Sequence, residues 1–222
     1  MIERTVGSVT VLGSVRGLVS DGERVRSRLE STRPSAVGLA ISPDELRGLR
    51  DYFVGAATEP VVPLAPTEAA EIRGLAHYGE VGVPNPSVTA TVGWADGANV
   101  PVEALDPSDD RYASLFGDSI GYFELVRRTL RERRVSKRPP QPATADEFAL
   151  AWNDTIEHGA GSRRLRAQRN GDVVEGVARL RARFSTVALV VDRERFEGIV
   201  ELLGDGFHLA RTPLDDGREA SR

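Results

Sequence analysis

Cysteine is absent from the 222 residues of this chain. Disulfide bonds, zinc sites built on thiolates and cysteine nucleophiles are therefore excluded. No apolar run approaches the roughly 20 residues that a membrane-spanning helix needs. The first residues also lack the apolar core of a signal peptide. These absences lead us to expect a cytoplasmic protein without a membrane segment.

Lysine is nearly absent, since Lys137 is the single lysine among 29 basic residues and the others are arginines. The formal net charge is −4. A chain with a net negative charge has no general attraction to nucleic acid or to an anionic membrane surface, so we expect neither as a partner. The sequence allows a homo-oligomer and points to no cofactor.

Several short motifs that identify enzymes are also missing. The three histidines, His77, His158 and His208, lie far apart and form no pair at metal-binding spacing. There is no G-x-S-x-G elbow and no G-x-x-x-x-G-K-[ST] loop. We therefore expect no metal site, no conventional serine hydrolase and no nucleotide loop of the Walker type.

The stretch from Ser8 to Arg50 alternates between strand and helix patterns. A β-prone apolar run ends at Gly13, where we expect a turn. Ser20 is predicted to cap a helix that ends at Thr32, and a short strand follows up to Ile41. Ser42 is predicted to cap the next helix. A strand-helix-strand unit of this length forms a right-handed parallel crossover, and such sheets bind ligands beyond the carboxyl ends of their strands.

The rest of the chain continues the same alternation. We expect a strand at Val100–Asp106, a helix at Gly121–Arg134, a central strand at Thr186–Val191 and a last strand at Phe207–Arg211. In the helix at Gly121–Arg134 the apolar residues predicted to point inward are Phe123, Val126 and Leu130. The order predicts an α/β fold with a mostly parallel or mixed central sheet and helices on both faces. We expect one domain over residues 1–212, a proline-rich internal linker at 135–144 and a polar tail at 213–222.

Charged residues occur at the predicted strand ends. Asp106 and Asp192 are typical of turns before proline and at helix starts. Arg16 and Arg195 suit either surface ion pairs or the binding of an anion, because a guanidinium group matches the geometry of phosphate and carboxylate.

Five sequence motifs in order resemble the TraB/PrgY group, which is related to the Tiki proteases and to the erythromycin-esterase and ChaN-like fold. The resemblance covers residues 8 to about 203. The family's G-x-x-H strand end corresponds here to Val11–Arg16, and its V-x-V-E-L strand corresponds to Ala36–Ile41. Its V-P-V-x-x-x-D strand corresponds to Val100–Asp106. Its E-R-N helix corresponds to Gln168–Asn170, and its V-V-G-x-x-H-x-x-G-I segment corresponds to Val190–Ile199.

The departures from the family fall on its expected metal-binding and catalytic residues. The two histidines are replaced by Arg16 and Arg195, and the two acids by Ala40 and Gln168. What remains of the motifs is Gly13, Asp106, Arg169, Asn170 and Gly198. An arginine is always cationic and offers no lone pair, so it does not replace a histidine ligand.

The resemblance implies that Arg16, Arg169 and Arg195 approach one pocket. Such a cluster needs a counter-ion. We expect either a bound anionic ligand or an internal pair with Asp106 or Glu194, and the internal pair is the favoured alternative.

We therefore predict a non-catalytic TraB-like protein that binds a small anion or a peptide carboxylate or has a regulatory role. The candidate ligand-binding residues are Gly13, Arg16, Asp106, Arg169, Asn170 and Arg195. The first alternative is a metal-dependent, peptidase-like hydrolase that uses Asp106 and His77. The second alternative is a structural partner of another family member.

Overall fold

A five-stranded mixed sheet forms the centre of the computed structural model, which describes residues 1–55 and 65–209, with side chains described up to residue 205. The strand order is β1-β2-β5-β3-β4. The β1–β2 pair is antiparallel, and β2, β5, β3 and β4 run parallel to one another. The strands are β1 (Ile2–Val6), β2 (Val9–Ser14), β3 (Ala36–Leu39), β4 (Val102–Ala104) and β5 (Val187–Asp192). The predicted α/β class is confirmed.

Helices cover both faces of this sheet. They are α1 (Val19–Thr32), α2 (Pro43–Phe53), α3 (Pro66–Leu75), α4 (Pro86–Ala98), α5 (Asp109–Ser119), α6 (Tyr122–Lys137), α7 (Ala145–Ile156), α8 (Ala160–Arg181) and α9 (Phe196–Leu209), with a short 3₁₀ turn at Arg193–Arg195. Among the residues described, no helix combines the length and the apolar character needed to cross a bilayer.

The alternating side chains of the strands divide the core into two layers. Val11, Leu189 and Val191 pack against α8 and α9, whereas Leu12 and Val190 pack against α1, α2 and α4. The buried position of β5 explains its uninterrupted apolar sequence, as expected for a strand covered on both faces. A third apolar cluster joins α3, α6 and α7 beyond the strand ends; its largest members are Phe148 and Trp152.

Several local predictions are confirmed and others are wrong. The Ser42 side chain accepts a hydrogen bond from the backbone N–H of Glu45 at 3.0 Å, as predicted for a helix cap. The predicted cap at Ser20 is wrong, because α1 begins one residue earlier and follows Leu18 without a side-chain cap. Gly13 lies inside β2 rather than in a turn, because the strand continues in register with β5 up to Ser14.

The two ends of the chain also differ from the prediction. The strand β1 was not predicted; it is an edge strand that pairs with β2 through a tight turn at Gly7. The predicted strand at Phe207–Arg211 is wrong up to Leu209, where α9 continues, and its remaining residues lie outside the described part. The predicted tail at 213–222 lies outside it as well.

The predicted orientation of α6 is wrong. Phe123 is 78% exposed, Leu130 is 59% exposed and Val126 is 41% exposed. Within α6 only Val135 is buried. The helix extends to Lys137, so the proline-rich connection to α7 is shorter than the predicted linker and covers residues 138–144.

Candidate functional site

The carboxyl ends of four parallel strands meet at one edge of the sheet, where folds of this kind bind ligands. The last residues of these strands are Ser14, Leu39, Ala104 and Asp192. The segments that follow the strands enclose a cavity of about 340 Å³. Its charged lining residues are Arg16, Glu45, Asp106, Asp109, Glu157, Arg169 and Asp192. Carboxyl groups therefore outnumber guanidinium groups around this cavity.

Asp106 is held by two arginines from different parts of the chain. Arg195 donates from Nη1 to Oδ2 at 2.8 Å and from Nη2 to Oδ1 at 3.2 Å. Arg169 donates from Nε to Oδ1 at 3.3 Å and from Nη2 to Oδ2. A carboxylate has about four lone-pair sites, and these four hydrogen bonds use them. We call Asp106, Arg169, Asn170 and Arg195 the Asp106 network.

The remaining donors and acceptors of the Asp106 network are also paired. Arg195 donates from Nε to Oδ1 of Asn170 at 3.0 Å and makes a longer contact of 3.4 Å with the carbonyl of Ala40. Arg195 is 5% exposed and Asp106 is 7% exposed. The guanidinium group of Arg169 lies over the ring of Tyr112, 5.2 Å from its centroid. Burial lowers the pKa of Arg169, but the hydrogen bond and the charge of Asp106 outweigh it and leave the pKa raised. The internal pair with Asp106 is thus present for Arg169 and Arg195, but Arg16 does not take part in it.

Arg16 has a different environment although it lines the same cavity. Its side chain is exposed and forms no hydrogen bond or ion pair with another described residue. The negative charge of Asp192 raises the pKa of Arg16, and Glu45, Glu71 and Glu194 act in the same direction, whereas the partial loss of hydration around Arg16 opposes them. The five N–H donors of Arg16 are therefore available to a ligand.

Two further cavities, of about 220 and 210 Å³, share Arg16 with the main one. Glu71 lines both of them, and Glu194 lines the smaller one. We call Arg16, Glu45, Glu71, Asp192 and Glu194 the Arg16 cleft. Glu45 belongs to α2 and Glu71 to α3, whereas Asp192 ends β5 and Glu194 lies in the 3₁₀ turn that follows it.

The three glutamates of the Arg16 cleft ionise with difficulty. Burial raises the pKa of Glu71 to about 7, and the charge of Arg16 reduces this effect. Burial and the neighbouring Asp192 and Glu71 raise the pKa of Glu194 to about 8. The pKa of Glu45 is also raised, mainly by burial. Near neutral pH the cleft therefore holds carboxyl groups in both protonation states, a feature found often at functional sites.

The predicted site residues divide into three groups. Arg16, Asp106 and Arg169 line one cavity, and Arg195 and Asn170 lie buried behind Asp106. Gly13 lies beneath Phe196, where a Cβ atom would be 2.6 Å from the ring Cδ2 atom. Gly13 therefore serves close packing between β2 and α9.

The hydrolase alternative requires Asp106 and His77 in one site. His77 is exposed at the end of α3, its Nδ1 lies 3.0 Å from the carbonyl oxygen of Arg73, and it does not line the cavity that contains Asp106. His158 is also exposed, and the side chain of His208 lies outside the described residues. Within residues 1–55 and 65–205, no three His, Asp or Glu side chains come together in a way that could hold a metal ion.

Sequence reasoning missed Glu45 and Glu71 as members of the cleft. Both belong to helices, Glu45 to α2 and Glu71 to α3, and no local sequence pattern distinguishes them from surface acids. A scan against protein-family models found no match for this chain, and a search of curated proteins found none either. The cleft geometry is therefore the basis for a functional proposal.

Proposed function

We propose that this chain is a non-catalytic relative of the TraB/PrgY group that binds a small ligand in the Arg16 cleft. One observation carries the proposal. Two arginines use the lone pairs of Asp106, whereas Arg16, beyond the end of β2, keeps its N–H donors available to a ligand. The fold supports it, because the cleft lies beyond the carboxyl ends of the parallel strands.

The non-catalytic part of the proposal follows from the state of Asp106. A general base or a metal ligand needs an accessible lone pair. Arg195 is a permanent cation that donates to both oxygens of Asp106, and Arg169 does the same. Loss of the negative charge of Asp106 would leave two guanidinium groups without a counter-ion, and this is costly in a buried site.

The charges of the cleft indicate the chemistry of the ligand. A carboxylate matches the guanidinium fork of Arg16. The negative charge of Asp192 beside Arg16 disfavours a simple inorganic anion but matches an ammonium group. A ligand with both groups, such as an amino acid or a short peptide, fits this arrangement.

Isothermal titration with alanyl-alanine tests the proposal. Arg16→Gln should weaken binding by about tenfold or more, because a hydrogen-bonded carboxylate contact to a charged group contributes roughly 1.5–3 kcal/mol. Arg16→Lys should restore part of the affinity. Arg4→Gln is the matched control, because Arg4 is an exposed arginine on the edge strand β1.

Two results would contradict the proposal. One is the absence of binding to the unaltered chain, and the other is equal binding by Arg16→Gln. The N-methylamide of the same dipeptide, which lacks the carboxylate, should bind weakly. Cleavage of a peptide by this chain in the presence of manganese would contradict the non-catalytic part alone, and a role as a structural partner stays a prediction.

A further inference from the structure

The outward side of α6 carries large apolar side chains in contact with solvent. Tyr122 is 75% exposed and Phe123 is 78% exposed. Val126 and Leu130 continue the exposed row at the four-residue spacing of one helix face. Packing within the described residues does not account for this row. An apolar row of this length on a helix indicates a surface that contacts something else.

Basic residues continue and flank the same row. Arg127, Arg133, Arg134 and Lys137 are all exposed, and Lys137 is the only lysine of the chain. Among the exposed residues from 121 to 138 there is no aspartate or glutamate. We call Tyr122, Phe123, Val126, Arg127, Leu130, Arg133, Arg134 and Lys137 the α6 outer face. This face is cationic although the whole chain has a net negative charge.

The two acids of α6 are used on its inward side. Glu124 accepts hydrogen bonds from the backbone N–H groups of Gly161 and Ser162, at the start of α8. Glu132 accepts a hydrogen bond from Arg128 at 2.9 Å. Neither acid of α6 therefore lies on its outer face, and the hydrogen bonds of Glu124 to the start of α8 fix this arrangement.

The charge of the α6 outer face selects its partner. A symmetric contact between two copies would bring like charges together, which disfavours a second copy as the occupant. Proteins bind nucleic acid mainly through basic and polar side chains that contact the phosphates, and a row of exposed Val and Leu side chains makes no such contacts. Exposed apolar residues and arginines on one surface helix match the interface of an anionic membrane, where apolar side chains enter and cations meet the headgroups.

We propose that α6 binds the surface of anionic lipid membranes through its outer face. The helix lies parallel to the bilayer plane, with Phe123 and Leu130 inserted among the lipids and the arginines against the headgroups. This inference goes beyond the ligand proposed for the Arg16 cleft and does not depend on it. It concerns contact with a membrane surface, and no span is involved.

Co-sedimentation of the full chain with vesicles tests the proposal. The chain should bind vesicles of equal parts phosphatidylserine and phosphatidylcholine, and it should not bind phosphatidylcholine alone. Each basic residue near the surface contributes about fivefold to the partition coefficient, so Arg133→Gln with Arg134→Gln should reduce it about 25-fold. Phe123→Ser with Leu130→Gln should abolish vesicle binding. Added salt should weaken the binding of the unaltered chain.

The matched control for charge is Arg163→Gln with Arg164→Gln, which removes two exposed arginines from α8. The matched control for apolar exposure is Leu150→Gln on α7. Both controls should bind like the unaltered chain. Absence of binding to phosphatidylserine vesicles at low salt would overturn the proposal, as would equal losses in the control variants. A dimer in solution that Phe123→Ser with Leu130→Gln dissociates would overturn it in favour of a contact between copies.

Discussion

Arg195 and Arg16 follow the ends of two neighbouring parallel strands, yet their environments are opposite. Arg195 is buried and its guanidinium group is paired with Asp106 and Asn170. Arg16 is exposed and is surrounded by carboxyl groups that do not touch it. The presence of Asp106 within reach makes the difference, since it converts a buried cation into part of the core. The same type of residue is therefore structural at one strand end and available to a ligand at the next.

Asp106→Asn should cause the largest loss of stability, because it disrupts the Asp106 network around Arg195. It leaves Arg195 buried and the partly buried Arg169 without a counter-ion. Removing one partner of a buried pair costs about 3–5 kcal/mol of unfolding free energy. Urea denaturation measures the loss. Asp96→Asn, an exposed acid on α4, should change stability by less than about 0.5 kcal/mol. Equal stability of Asp106→Asn and the unaltered chain would show that the Asp106 network is not structural.

Gly13→Ala tests the packing of β2 against Phe196, the residue that follows Arg195. The added Cβ atom would lie 2.6 Å from Phe196 and 2.9 Å from Ile2. Overpacking of this kind costs about 1–3 kcal/mol, which should appear as a lower urea midpoint. Gly171→Ala in α8 is a matched change with the opposite expectation, because no atom lies within 4 Å of its added Cβ. It should stabilise the chain by about 0.5–1 kcal/mol, and a loss at Gly171 equal to that at Gly13 would exclude the packing explanation.

The contribution of the Arg16 cleft to the stability of the chain should depend on pH. The pKa of Glu71 is about 7 in the folded chain and lies above its ordinary value of 4.5, so the folded state binds more protons between these values. Stability should therefore fall as the pH rises from about 4.5 to about 7 and then level off, as far as Glu71 is concerned. Glu71→Gln should be the more stable chain above this range, by about 1–3 kcal/mol. Denaturation at a series of pH values measures the gap, and a constant gap between pH 5 and pH 8 would contradict the assignment.

Arg16→Gln should have the smallest effect on stability. Arg16 is exposed and makes no hydrogen bond within the described residues, so its removal should cost less than about 1 kcal/mol. Thermal denaturation provides this measurement. A loss comparable to that of Asp106→Asn would mean that Arg16 is also structural, and the contrast between the two arginines would disappear.

The fold was predictable where the sequence pattern reports burial directly. The apolar run of β5 indicated the central strand, and Ser42 indicated the start of α2. The edge strand β1 was missed because its middle residues are exposed and polar. The face of α6 was predicted wrongly, because periodicity shows which residues share a face and does not show which face meets the core.

The site was predictable only in part. The order of strand ends predicted that Arg16 and Asp106 lie at one edge, since parallel strands place their carboxyl ends there, whereas the approach of Arg169 was implied only by the family resemblance. Arg169 reaches Asp106 from α8, and no local sequence pattern indicates where α8 packs on the sheet. Glu71 enters the cleft because α3 packs across the end of β2, a contact between residues distant in sequence.

Side-chain NMR of the arginine Nε–Hε groups during a titration with alanyl-alanine tests the central claim most directly. The account predicts that the Arg16 signal shifts with ligand concentration and saturates, while the Arg195 signal stays in place because its Nε–H is already bonded to Asn170. A shift of the Arg195 signal with none at Arg16 would contradict the account, since it would make the Asp106 network the binding site.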